Sequence, residues 1–218
     1  VLLHSYCKHN NEFPGWYIFT DNSIDITTQK RWESIYQGEL HFRVPNLKRY
    51  AAHKRDSAKF YIFEAFGLEQ YDKVLALDAD LLIKKDIKSI WEYGADLAMH
   101  KELVRTCYNS GVMLIGKGVL SGGTITELLK VDLQKAKEYY FGNDQAIINL
   151  YFKDKIFEIG WQYNCFSLDA HEYDLEEIKI MHYFLKPDHK DFKLRTPENI
   201  RKMWLELYNL EVKQYYGK

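Results

Sequence analysis

Apolar and polar positions alternate with two different periods along this chain, and the clearest feature is where one apolar run stops. Val74, Leu75, Ala76 and Leu77 are followed by Asp78, Ala79 and Asp80, after which Leu81, Leu82 and Ile83 resume the apolar run. Four consecutive apolar residues predict a strand covered on both faces. Before it, the pattern predicts a short helix (Leu2 to His9), a strand "WYIFT" ending at Asp21, and an amphipathic helix from about Thr27 to Tyr36. The strand "ELHFRV" and a helix "HKRDSAKFYIFEAFG" come next, the helix with Ala58, Tyr61, Ile62, Ala65 and Phe66 on one face and Gly67 as its stop. Beyond the Asp pair come a short helix at "IKSIWEYG", strands "ADLAM" and "SGVMLIG", and helices from about Thr124 to Lys137 and from Asn143. Strands "IFEI" and "IKIMHY" precede a closing helix over 196–218, with Thr196 as cap and Pro197 at its first position.

This alternation predicts an α/β fold with a mostly parallel sheet flanked by helices. In such sheets ligands bind beyond the carboxyl ends of strands, which is where the Asp pair falls. The 218 residues suit a single domain spanning 1–218, and no repeat or low-complexity linker divides it. Thirty Lys+Arg balance 31 Asp+Glu for a net charge of -1, which gives no support to nucleic-acid binding. Cys7, Cys107 and Cys165 are odd in number and lack metal-type spacing, so a reducing compartment is the natural reading. No apolar run reaches transmembrane length, and no secretory signal is evident.

Two carboxylates at i and i+2 of an extended segment point the same way. Like charges held together are costly unless a cation neutralises them, and hard oxygen ligands favour Mg²⁺ or Mn²⁺. A sugar diphosphate would complete that cation's shell. The plainer reading makes both Asp residues turn formers after a strand.

The spaced segments "SAKFYIFEAF", "YDKVLALDADLLI", "CYNSGVMLI", "GNDQAIIN", "GWQYNC" and "IMHYFLKP" together resemble, in order, the motifs of glycosyltransferase family 8. The resemblance implies a GT-A (Rossmann-like) fold and Mn²⁺-dependent transfer of a hexosyl unit from a UDP-sugar, with retention of configuration. It implies Asp78, Asp80 and His182 as metal ligands, with Mg²⁺ as the alternative ion. Imidazole beside carboxylates suits Mn²⁺ better. Lys59 would face the diphosphate or donor sugar, Ala79 would lie against the donor, and Asn109 and Ser110 would bind sugar hydroxyls. Gly111 would permit close backbone approach, while Asp144 and Gln145 would border the reacting carbon. The bland counterparts are a solvated Lys59, a loop at Asn109 and Ser110, and Asp144 as a helix cap.

Two departures from the family pattern stand out. The strand expected to hold the nucleotide base would precede Val1, and "HYFLKPDHKDF" lacks the usual Gly, so Lys186 and Lys190 compete for the phosphate role. The implied partners are a UDP-sugar and a glycan or lipid-linked saccharide acceptor, at the inner face of a membrane and with homo-oligomerisation left open. A sugar-phosphate nucleotidyltransferase and a non-catalytic metal- and carbohydrate-binding module are the competing functions.

Overall fold

In order along the chain, the elements are α1 (Leu2–His9), β1 (Trp16–Phe19), α2 (Ile26–Ile35) and β2 (Leu40–Arg43), followed by a 3₁₀ segment, Ser57–Gly67. Strands β3 (Lys73–Leu77), β4 (Leu81–Ile83), β5 (Leu97–Lys101) and β6 (Tyr108–Gly116) come next, with a 3₁₀ turn, Lys88–Glu92, after β4. Helices α3 (Gly122–Lys130), α4 (Leu133–Tyr139) and α5 (Asp144–Tyr151) lead to β7 (Phe157–Glu158), β8 (Cys165–Phe166) and β9 (Ile180–His182). Residues 198–206 are helical, here α6. The computed structural model describes residues 1–20, 23–46, 57–103, 107–183 and 198–206. Asp21, the basic residues of 48–55, Lys186, Lys190, Thr196 and Pro197 lie outside the described residues.

The central sheet runs β3-β6-β5-β7, and side-chain alternation gives it a core on each face. Val74, Ala76, Met113, Ile115, Leu97 and Met99 face one core, which is completed by the 3₁₀ segment and helices α3, α4 and α5. Leu75, Leu77, Val112, Leu114 and Ala98 face the other, against α1, β4 and the 88–92 turn. The run Val74 to Leu77 is therefore covered on both sides, as its composition predicts.

In the central sheet β3, β5 and β7 run one way and β6 alone runs against them, so the mostly parallel sheet expected is found with one reversed strand. Among the described pairs, β3–β6, β5–β6 and β4–β9 are antiparallel, whereas β1–β2, β5–β7 and β8–β9 are parallel. The link from Lys101 to Tyr108 is too short for a crossover, so β5 and β6 must run in opposite directions.

Two helices also differ from their sequence pattern. The segment 57–67 winds as 3₁₀ rather than α, and its fully buried positions are Phe60, Phe63 and Phe66. That three-residue spacing matches three residues per turn, whereas Ala58, on the expected α face, is exposed. The single helix expected over Thr124 to Lys137 is two. Val131 is extended, and Asp132 starts α4 by accepting bonds from Gln134 N (2.8 Å) and Lys135 N (3.2 Å). Asp132→Ala is expected to lower stability by about 1 kcal/mol in urea denaturation, the usual cost of a lost cap.

Candidate active site

The chain passes from one sheet to another at the Asp pair. Asp78 continues the β3 ladder by donating its N–H to the Gly111 carbonyl (2.9 Å). Ala79 and Asp80 then form a turn, not the extended segment expected, and β4 begins the three-stranded sheet β4-β9-β8. The Asp80 carbonyl accepts from Tyr183 N (3.0 Å), and Leu81 pairs directly with His182 in the antiparallel β4–β9 register. Strand pairing thus brings the imidazole to the acidic turn across a hundred positions of sequence. His182 Nε2 lies 3.3 Å from Asp80 Oδ1 and 3.8 Å from Asp78 Oδ2. One ligand atom from each of the three side chains falls within 4.8 Å of the others.

The site is a crevice. Asp78 and Asp80 keep 40% and 49% of their side-chain surface open to solvent, whereas His182 keeps 6%. Protein packed around Asp78 raises its carboxyl to about 7; His182 counteracts the rise, and Asp80 and Asp144 add to it. For His182, burial opposes the charged ring, but the hydrogen bond and charge of Asp80, then Asp78 and Glu102, outweigh it and raise the imidazole above its ordinary value. Two carboxylates and one imidazole with mutually repelling acids form a donor set that a divalent cation would relieve. These residues therefore fit a divalent cation, through two oxygens and one ring nitrogen.

Behind the metal-type cluster lies a polar layer at the start of β6 and α5. Asp144, the first residue of α5, accepts from Ser110 Oγ (2.9 Å). Burial raises its carboxyl, while Ser110, the backbone N–H groups of Asp144 and Gln145, and Lys59 hold it down. Lys59, exposed on the 3₁₀ segment, thus acts electrostatically on the same crevice. Gln145 donates to Glu102 Oε1 (3.1 Å) and Cys107 Sγ (3.3 Å). Its oxygen accepts from Asn109 Nδ2 (2.9 Å) and Ser110 N (3.3 Å).

Asn109 differs from its sequence expectation. Its amide donates to Glu102 and Gln145 and accepts from Gly111 N and Asn164 Nδ2, so all four positions are engaged inside the protein rather than offered to sugar hydroxyls. Gly111 does permit a close approach, but by a protein group. A Cβ there would stand 2.2 Å from His182 Cε1 and 2.8 Å from Nδ1. The Phe166 ring packs on the imidazole at 4.7 Å between centroids.

Asn164 and Glu102 were not singled out by the sequence. Asn164, which takes part in a bond to His182 Nδ1 (2.9 Å), sits within the quoted segment "GWQYNC", and that was its only signal. Glu102 had none beyond following the strand β5. Of the expected site residues, Asp78, Ala79, Asp80 and His182 meet at one turn. Asn109, Ser110, Gly111, Asp144 and Gln145 form the adjoining polar layer. Lys186 is outside the described residues.

Residues 18–190 match the model of Glycosyl transferase family 8. Glycosyltransferase GlyE of Streptococcus pneumoniae is 29% identical over 236 aligned residues, covering 94% of this chain and 56% of that protein. The probable glycosyl transferase Gly of Streptococcus gordonii is 26% identical over 149 residues, covering 61% of this chain and 21% of that protein. The chain thus spans about half, or less, of the curated relatives it matches.

Among solved structures, GlyE superposes with a TM-score of 0.71 at 22% identity over 94% of this chain and 55% of that one. The galactosyltransferase LgtC, solved with donor and acceptor sugar analogs, gives 0.69 at 18% identity over 92% of this chain and 89% of that one. These likenesses establish a GT-A fold, and the α/β class read from the sequence holds. The family match encloses the acidic turn, the polar layer and His182 alike, and the chain belongs to glycosyl transferase family 8.

Proposed function

We propose that residues 1–218 make up a GT-A domain that moves a hexosyl unit from a UDP-sugar to a glycan or lipid-linked saccharide acceptor, with retention of configuration and with Mn²⁺. The observation that carries this reading is the convergence of Asp78, Asp80 and His182. Asp78, Asp80 and His182 would hold the Mn²⁺, which would supply positive charge for the departing diphosphate. Ser110 and Asp144, joined by their hydrogen bond, would hold the donor sugar, Ala79 would lie beneath it, and Gln145 would border the reacting carbon. Lys59 would add positive charge toward the leaving diphosphate, with Lys186 as its second candidate partner.

A reducing cytoplasmic setting fits the three free cysteines, two of them buried. No helix among the described residues is long and apolar enough to cross a membrane. Family membership favours glycosyl transfer over nucleotidyl transfer.

The direct test is a panel of nucleotide sugars screened for hydrolysis with and without Mn²⁺. Slow Mn²⁺-dependent release of UDP from one donor is expected. Release of pyrophosphate from a nucleoside triphosphate instead would favour nucleotidyl transfer.

The raised carboxyl of Asp78 gives the reading a pH signature. Below about 7 a cation must displace a proton from Asp78, and the raised His182 imidazole adds to that competition, so Mn²⁺ affinity rises with pH. Isothermal titration at a series of pH values checks this, and a flat profile contradicts Asp78 as a ligand.

A further inference from the structure

We propose that Glu102 sets which ring nitrogen of His182 is free to bind a cation, acting through Asn109 and Asn164. The inference rests on the metal reading of the crevice. It concerns the polarity of a hydrogen-bond chain in which each amide could in principle face either way.

Two groups of fixed polarity remove that freedom. Glu102 is an acceptor, and its Oε1 lies 3.0 Å from Asn109 Nδ2 and 3.1 Å from Gln145 Nε2. The Gly111 N–H can only donate, and it lies 2.9 Å from Asn109 Oδ1. Asn109 must therefore turn its nitrogen toward Glu102 and its oxygen toward Gly111. That oxygen, in turn, faces Asn164 at 2.9 Å, so Asn164 must present its nitrogen there. The Asn164 oxygen is then left facing His182 Nδ1, also at 2.9 Å. An amide oxygen only accepts, so Nδ1 carries the hydrogen.

The consequence is at the other nitrogen. With Nδ1–H committed to Asn164, the lone pair of the neutral ring is on Nε2, the atom that faces Asp80 and Asp78. Reversing the chain would put the Asn109 oxygen against the Glu102 carboxylate and its NH₂ against the Gly111 N–H. Both contacts are repulsive, and all members are buried: Glu102 and Asn109 at 8% and 5% exposure, Asn164 at 0%. Glu102 also holds the Gln145 amide, so one buried carboxylate fixes both the metal-side imidazole and the first turn of α5. Glu102 and Asn164 are positioning residues. Asn164 bonds to His182 and Glu102 bonds to Gln145, and neither need touch the substrate.

The test is ¹⁵N NMR of the histidine rings in metal-free protein at a pH where His182 is neutral, with its signals assigned by their loss in His182→Gln. The wild type is expected to show hydrogen on Nδ1. In Glu102→Gln the replaced amide can offer NH₂ to Asn109, so both ring tautomers become detectable. Asn164→Leu removes the acceptor, and the Nδ1–H preference is lost. Mn²⁺ affinity, measured by titration, is expected to fall about tenfold or more in Asn164→Leu and by a smaller factor in Glu102→Gln, as for other groups that orient a metal-ligating histidine. Circular dichroism and thermal melting of each variant separate this effect from loss of fold.

Wild-type tautomer and affinity retained in both variants would overturn the proposal, as would hydrogen on Nε2 in the wild type. Hydrogen on Nδ1 in a wild type that binds no Mn²⁺ would support the hydrogen-bond chain and refute the metal reading, so the two failures are distinguishable.

Discussion

Asp80→Asn is expected to reduce Mn²⁺-dependent donor hydrolysis and transfer by about 10²–10³-fold, the several kcal/mol that a Lewis-acidic centre contributes to a leaving group. The amide keeps the shape of the carboxylate but loses the charge that draws a cation, and it still offers one oxygen. Asp80 is half open to solvent, so the metal-free variant should melt close to the wild type. Metal titration of the variant should show weak binding or none, and His182 should lose its main charged partner. Activity that survives with unchanged Mn²⁺ dependence would show that the ion is held elsewhere.

The second large effect is expected at Gly111. Its Cβ in Gly111→Ala would meet the His182 ring at 2.2 Å and Asn109 Oδ1 at 3.0 Å, separations that something must move to relieve. The imidazole has little freedom, because it is 6% exposed and backed by the Phe166 ring. Rotating it breaks the bond to Asn164 and withdraws Nε2 from the carboxylates. A stability loss of about 1–3 kcal/mol is expected, in line with overpacked cores, together with at least a tenfold loss of Mn²⁺ affinity. Gly94→Ala is the control, since a Cβ there meets nothing within 4 Å and both properties should stay near wild type. Equal Mn²⁺ affinity in Gly111→Ala and wild type would remove His182 from the ligand set.

Much of the fold is legible in the order of apolar and polar residues, for reasons that differ between elements. Helix α1 falls over Leu2–His9 as its period predicts, and α2 is displaced by one residue, because local spacing decides both and Asp25 caps α2 through Thr28 N. The 57–67 segment misleads, since its apolar residues satisfy both a 3.6 and a 3.0 period and only tertiary packing chooses Phe60, Phe63 and Phe66. The two-residue strand β8 is too short to carry any period. Strand direction is not written in periodicity at all. It follows from connection length, which is why the one reversed strand of the mostly parallel sheet, β6, is not marked by the pattern.

At the site, the carboxylates and His182 are legible because each interrupts or ends an apolar run at a strand end. Gly111 is legible as a point of close approach, but not what approaches it. Asn109, Asn164 and Glu102 become meaningful only when β5, β6 and β9 are brought together, and no local pattern marks an amide whose four bonds are all internal.

The central claim is that one divalent cation is held jointly by Asp78, Asp80 and His182. Crystals soaked with Mn²⁺ and UDP, with anomalous data collected at the manganese edge, test it most directly. The account predicts one strong peak bonded to a carboxylate oxygen of each Asp, to His182 Nε2 and to the diphosphate. A peak lacking any of the three side chains, or a UDP-bound crevice without manganese, would contradict it.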